Sequence, residues 1–267
     1  AVGFHGSRPL GVPGEDHRDV YNGVQLLERI LLGERPLLPR RVAVVGGGNT
    51  AMDVARVLLR LHVEPVVVYR RTRDEMPAIA SEVAEAEAEG IEFIFLAAPV
   101  RVVTEHDAIT ALECQRMQLG EPDASGRRRP EPIPGSEFMI PVQGVVTAIG
   151  ELAELSFLPA EVRDGWRIAA DPRLATSIPG VFAAGDAESG AGTVTAAVGA
   201  GRRAARMIDI YLQGDSLPDA APEARRLAAR DYDRDRVVAF EDLNVAYFKP
   251  APRPAVRELA PAARVDT

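Results

Sequence analysis

The run from Arg41 to Ala55, RVAVVGGGNTAMDVA, restricts the fold of this chain more than any other: an apolar strand enters a glycine turn and leaves it directly as a helix. Gly46 lets the chain turn sharply. Gly48 keeps side chains away, so that backbone N–H groups and the helix start can face a pyrophosphate. Ala51 takes the third small position, giving GxGxxA, in which a methyl group still permits close packing of helix on strand. Glycines between a strand and a helix also serve as a plain turn, and the motif by itself leaves both readings open.

The next strand separates them further. Glu64 to Tyr69 reads as the second strand of a βαβ unit and ends in Tyr69, Arg70, Arg71, Thr72 and Arg73. An Asp or Glu at that end would hold the ribose 2′-hydroxyl of NAD. Arginines suit a 2′-phosphate through charge-assisted, often bidentate bonds, so the expected cofactor is NADP(H). The bland alternative is a solvated basic turn.

Composition removes several function classes. With 267 residues, 46% of them hydrophobic, the chain is expected to be soluble and globular, with about two domains. A formal net charge of -8 argues against nucleic acid as a partner despite local arginine runs. No apolar run approaches the roughly 20 residues that span a bilayer, and no signal-peptide pattern opens the chain, so no membrane role and a cytoplasmic location are expected. Cys114 is the only cysteine, which excludes an internal disulfide, a CxxC pair and a cysteine-ligated iron–sulfur cluster within this chain. His5, His17, His62 and His106 lack ligand spacing, so no metal site is expected.

Residues 1–35 open Gly/Pro-rich and continue into a short helix expected over Val20 to Leu32. Residues 40–98 alternate strand, helix, strand, helix, strand, which implies an α/β, Rossmann-like parallel sheet with right-handed crossovers. Asn49 is placed to cap the first helix. Met52, Ala55, Val57, Leu58 and Leu59 are expected mostly toward the sheet, and Pro77 and Gly90 bracket the second helix. Residues 100–149 read as an antiparallel excursion. Within it GEPDASGRRRPEPIPG is a polar loop, and Arg127, Arg128 and Arg129 read as its solvated tip in preference to a phosphate site.

A second informative segment is IPGVFAAGDAESGAGTVTAAVGAGRRAARMIDIYL. A short strand, Val181 to Ala184, ends in Gly185 and Asp186, and a helix begins near Thr193. Asp186 at a strand end can accept hydrogen bonds from ribityl or ribose hydroxyls. Gly192, Thr193 and Val194 at the helix start offer free N–H groups to an electron-rich flavin edge. An ordinary strand, turn and helix with a capping Asp fits the same residues.

The order of GGGNTAMDVAR, YRRTRDEMPA, GEPDASGRRRP, AIG at Ala148 to Gly150, and GVFAAGD resembles the small, NADPH-oxidising subunit of bacterial glutamate synthase and related flavin oxidoreductases that feed iron–sulfur proteins. The resemblance runs to about residue 213. It implies an NADPH domain inserted into a partial FAD domain. Residues 1–35 would close the first FAD segment and a linker, 36–150 form the NADPH domain, 151–213 the C-terminal FAD segment, and 214–267 a Pro-rich tail. Gly46, Gly48, Asn49, Thr50, Ala51, Arg70, Arg71 and Arg73 are then expected at NADPH, Gly185, Asp186, Gly192, Thr193 and Val194 at FAD, and Gly150 among the cofactor-binding residues. The family's first glycine motif, for the ADP part of FAD, would lie upstream of Ala1, so the chain reads as an excerpt. Glu151 stands where the family often has Gln, and Gly144 where it often has Asp.

The implied activity is hydride transfer from NADPH to FAD, with electrons passed to an iron–sulfur protein, domain or large catalytic subunit. Such a transfer needs no acid–base residue, so no catalytic side chain is named; the protein's task is to position the two rings. The rival readings are a nucleotide-binding module without turnover and a ferredoxin/NADP-type reductase with a different final acceptor. A plain dehydrogenase is disfavoured because no Tyr/Lys or His/Asp proton-donor pair is visible. The final acceptor and the oligomeric state stay open.

Overall fold

The computed structural model describes residues 3–123, 126–190, 192–220 and 259–265. They divide into two compact units, one of Ala1–Glu154 with Leu259–Thr267 and one of Leu155–Glu258.

In the first unit the elements run β1 (Phe4–Ser7), β2 (Val20–Asn22), α1 (Gly23–Leu31), β3 (Arg41–Val45), α2 (Asn49–Arg60), β4 (Glu64–Tyr69), α3 (Ala80–Ala88) and β5 (Glu92–Phe95). They continue as β6 (Ala97–Glu105), β7 (Ala108–Pro122), β8 (Arg128–Pro141), β9 (Gly144–Thr147) and β10 (Glu151–Ala153). Five strands form a parallel sheet in the order β2-β9-β3-β4-β5. Three others form an antiparallel sheet, β6-β7-β8, and β1 pairs with β10.

The central strands are continuous valine runs because both of their faces are covered. Val42, Val44, Val67 and Val146 meet the helices, packing against Met52, Val54, Ala55, Leu58 and Val83. Ala43, Val45, Val66, Val68 and Val145 point the other way, onto Val102, Ile109, Leu112, Cys114 and Ile140 of the antiparallel sheet. The result is three layers: helices, parallel sheet, antiparallel sheet. Met52 and Leu58 are fully buried, and such side chains contribute about 1.5–3 kcal/mol each. Val54 takes the buried place expected of Val57 and Leu59, which stay half-exposed.

Several expected elements differ. Val20–Asn22 is a strand, not the first turn of a helix, because Val20 and Tyr21 pair with Val145 and Val146. The helix starts at Gly23, where the Asn22 Oδ1 accepts from the Gln25 N–H at 3.2 Å. The parallel sheet thus takes an edge strand from before residue 36, and the expected excursion over 100–149 ends early, since Gly144–Thr147 returns between β2 and β3. The polar loop is mostly ladder. Its prolines, Pro130, Pro132 and Pro134, are tolerated because β8 is an edge strand of its sheet, where a missing N–H leaves no bond unmade.

The second unit contains the hairpin β11 (Arg163–Asp164) and β12 (Arg167–Ile168), the single turn α4 (Asp186–Ser189) and the long helix α5 (Val194–Leu212). Val181 to Ala184 does not form the expected strand. Among the described residues its only ladder pairing is one antiparallel bridge, Phe182 with Ala175, and a lone bridge does not hold a strand. Much of the Pro-rich tail lies outside the described residues; a last short helix, α6 (Pro261–Val265), belongs to the first unit.

Candidate functional site

The glycine turn sits at the C-terminal edge of the parallel sheet, between β3 and α2. Gly46 has φ +150°, and a Cβ there would lie 2.2 Å from the carbonyl oxygen of Ala148. Only glycine allows the end of β9 to pass so close. Gly47 carries a requirement the motif reading did not assign: a Cβ there would enter the Tyr69 ring at 2.5 Å. Gly48 is different, because a Cβ on it would meet nothing within 4 Å. It faces open space at the N-cap of α2, with no side chain capping the helix. The first N–H groups of a helix have no intrahelical acceptor, and the dipole there favours an anion. The turn therefore offers an uncovered cradle that a pyrophosphate fits. Ala51 is fully buried against the sheet, as the third small position requires.

Asn49 does not cap its own helix. Its Oδ1 accepts from the Ile79 N–H at 2.9 Å, tying the turn to the start of α3. The Thr50 hydroxyl donates to Glu151, and both line a cleft of about 430 Å³ whose other walls are Val24, Leu27, Leu31 and Leu32 with the carboxylate of Glu28. Gly150, φ +134°, precedes Glu151, and its carbonyl accepts from the Arg8 N–H at 2.9 Å. Glu151 thus joins the site. The one sequence signal for it is its departure from the family's Gln.

The three strand-end arginines have different surroundings. Arg70 is exposed, and its pKa is lowered, first by the desolvation around it and then by the charge of Arg71. Arg71 is buried, 4% exposed, with Nη2 2.6 Å from Asp123 Oδ2 and Nε donating to the Arg128 carbonyl at 2.7 Å. Arg73 makes a bidentate pair with Glu87 of α3, at 2.8 and 2.9 Å. Of the arginines expected at a 2′-phosphate, only Arg70 is left without a carboxylate bonded to its guanidinium among the described residues. The RRR loop is not a free tip either: the Arg128 Nε donates to Glu75 Oε1 at 2.7 Å. Glu75 in turn closes a capping box with Thr72 and accepts through its carbonyl from the Tyr69 hydroxyl at 2.8 Å.

In the second unit, Gly185 has φ +76° and leads into Asp186 at the start of α4. Asp186 and Gly192 come together: Oδ1 lies 3.6 Å from the position of a Cβ on Gly192. The Thr193 hydroxyl accepts from the Ala196 N–H at 3.1 Å and so caps α5. Val194 is 83% exposed at the head of that helix.

Cys114 is buried between the two sheets, and burial followed by the Glu113 charge pushes its thiol up to about 12, so it is an inert core residue. Among the described residues no group of three or more His, Cys, Asp or Glu could hold a metal ion, and no helix is long and apolar enough to cross a membrane.

Comparison with known proteins agrees with this architecture. The chain is 51% identical over 231 residues to the NADP(+)-dependent formate dehydrogenase subunit beta of Moorella thermoacetica, covering 84% of this chain and 33% of that protein. It is 42% identical over 243 residues to the NADPH-Fe(3+) oxidoreductase subunit beta of Geobacter sulfurreducens, covering 80% and 36%. To the glutamate synthase [NADPH] small chain of Escherichia coli it is 34% identical over 233 residues, covering 79% and 49%. The chain therefore spans about a third to a half of the length of these relatives. Among solved structures, FprA of Mycobacterium tuberculosis in complex with NADPH shares the fold, with TM-score 0.65 and 20% identity over 82% of this chain and 66% of that one. The thioredoxin reductase of T. acidophilum gives TM-score 0.58 at 25% identity, covering 78% and 62%. The family model for pyridine nucleotide-disulphide oxidoreductases matches residues 1–201, three quarters of the chain, and the chain belongs to that family.

Proposed function

We propose that this chain is the NADPH-oxidising part of a flavoprotein that delivers electrons to an iron–sulfur partner, as its resemblance to glutamate synthase small subunits implies. The open Gly48 at the uncapped start of α2, with exposed Arg70 at the end of the neighbouring strand, carries the reading. The N–H groups of Gly48, Asn49 and Thr50 bind the pyrophosphate, and Arg70 faces the adenosine 2′-phosphate. Thr50 and Glu151 border the nicotinamide half, while Gly150 shapes the chain beside it. Arg71 and Arg73 act from behind, holding the loop and α3. Gly185 and Asp186 with the start of α5 suit a flavin's hydroxylated chain and ring edge, with residues 151–213 as the flavin segment and 36–150, enlarged by Val20–Leu31, as the NADPH domain. When bound, NADPH and FAD supply the hydride chemistry; the residues named here bind and orient. The relatives' names, which call them subunits or chains, support a partner protein, and iron–sulfur centres there fit the conversion of a two-electron donor into single-electron steps.

The wild-type chain is expected to bind NADPH at least tenfold more tightly than NADH in calorimetry. Arg70→Ala should weaken NADPH by about tenfold, about 1.4 kcal/mol, and leave NADH within twofold. Equal loss for both would remove Arg70 from the 2′-phosphate. Purified protein carrying FAD should lose its 450 nm band, approximately, under anaerobic NADPH. A colourless preparation that binds NADPH would reduce the reading to a nucleotide-binding module.

A further inference from the structure

The chain beyond β9 passes directly beside the glycine turn. The Ala148 N–H donates to the Val45 carbonyl at 2.8 Å, and Gly150, at φ +134°, delivers Glu151 to the cleft that Thr50 also lines. There the Thr50 hydroxyl donates to Glu151 Oε1 at 2.5 Å, which ties the carboxylate to the first turn of α2. That bond uses the hydroxyl's single proton and leaves Oε2 free to accept. Among the described residues no arginine pairs with Glu151. The pair therefore offers the cleft hydrogen-bond acceptors and an uncompensated negative charge, set against Val24, Leu27, Leu31 and Leu32. Sheet order places this charge. β9 flanks β3 on the side opposite β4, so a dinucleotide with its 2′-phosphate at Arg70 and its pyrophosphate on α2 carries its other half toward the end of β9.

We propose that Glu151, held by Thr50, selects the redox state of the dinucleotide: its carboxylate binds the oxidised, cationic nicotinamide in preference to the neutral reduced ring and so makes bound NADPH a stronger hydride donor. This rests on the NADPH reading above. Hydride transfer carries two electrons and a proton to the flavin, NADPH and FAD becoming NADP+ and FADH−, and it leaves the nicotinamide ring positive. A fixed anion beside that ring favours the product over the reactant, and apolar walls screen the attraction less than bulk water does. The free Oε2 also suits the N–H donors of a carboxamide. Glu28 lines the same cleft from α1, but it is exposed and makes no bond to Thr50, so solvent and salt screen its charge.

Calorimetry with NADP+, NADPH and 2′,5′-ADP tests this in the full chain. Glu151→Gln keeps the side chain's size and its acceptor for Thr50 while removing the charge. It is expected to raise the ratio Kd(NADP+)/Kd(NADPH) about tenfold over wild type, equivalent to about 30 mV in the two-electron couple, toward a weaker donor. Binding of 2′,5′-ADP, which has no nicotinamide, should stay within about twofold of wild type in the same variant. Glu151→Asp, which restores the charge, should return most of the wild-type ratio. Glu28→Gln should leave that ratio within about twofold. An unchanged ratio in Glu151→Gln, or equal loss of NADP+ and NADPH, would overturn the proposal while leaving the NADPH site standing. A matching loss of 2′,5′-ADP would move the effect away from the nicotinamide half and overturn it as well. Wild-type protein that binds none of the three would instead overturn the underlying reading.

Discussion

Gly46→Ala is expected to unfold the nucleotide turn, lowering stability by about 3–5 kcal/mol and abolishing NADPH binding. The added Cβ would sit 2.2 Å from the Ala148 oxygen and 2.8 Å from its carbonyl carbon, both backbone atoms. Neither side can yield easily. The Gly46 N–H is bonded to the Val68 carbonyl at 3.0 Å and the Ala148 N–H to the Val45 carbonyl at 2.8 Å, so relief would break ladders on both sides of β3. The φ of +150° adds strain for any L-residue. Gly48→Ala provides the contrast, since its methyl would enter open space. That variant should lose no more than about 1 kcal/mol, the order of a changed N-cap residue, yet weaken NADPH about tenfold or more by obstructing the pyrophosphate. Thermal denaturation with calorimetric titration separates the two. A Gly48→Ala protein with wild-type NADPH affinity would show that the cradle is not the binding surface.

Glu89→Ala is expected to cost about 3–5 kcal/mol, because it leaves two arginines around an emptied buried site. The Glu89 side chain has no exposed surface and meets Arg56 at 2.9 Å and Arg60 at 3.0 Å. Arg56 also reaches Glu82 and Glu85, so this cluster joins α2 to α3. Burial alone would raise the Glu89 pKa; the hydrogen bonds and charges of Arg56 and Arg60 outweigh it and hold the carboxyl at about 2, against an ordinary 4.5. A depressed carboxyl stabilises the fold fully above its unfolded value. That contribution, about 3 kcal/mol, is lost as pH falls from about 4.5 toward 2. Urea denaturation at stepped pH should show Glu89→Gln with a flatter acid limb than wild type. An acid limb identical to wild type in that variant would locate the sensitivity elsewhere.

Local order in the chain made much of this legible. Valine runs, helical spacing and glycines lie within a few residues of one another, so β3, α2, β4, α3 and the turn between β3 and α2 follow from adjacent side chains. The misread segments depend on partners far along the chain. VYN at 20–22 becomes a strand because β9, more than 120 residues later, supplies its ladder. GVFAAGD reads as strand-forming by composition, but among the described residues it joins a single antiparallel bridge, Phe182 with Ala175, and no longer ladder. Gly47 was overlooked since its constraint is the ring of Tyr69, on another strand.

The amino-acid order by itself determined a strand–glycine–helix unit, a strand end rich in arginine and, with a single cysteine, the lack of a dithiol pair within this chain. Tertiary structure decided which arginine faces outward. Arg70 and Arg71 are neighbours of equal charge, and sequence cannot rank them; alternation along the chain sends one to solvent and the other inward, where Asp123 from a distant hairpin neutralises it. Burying a guanidinium requires a partner carboxylate, and that partner came from the polar loop whose three arginines read in sequence as a solvated tip.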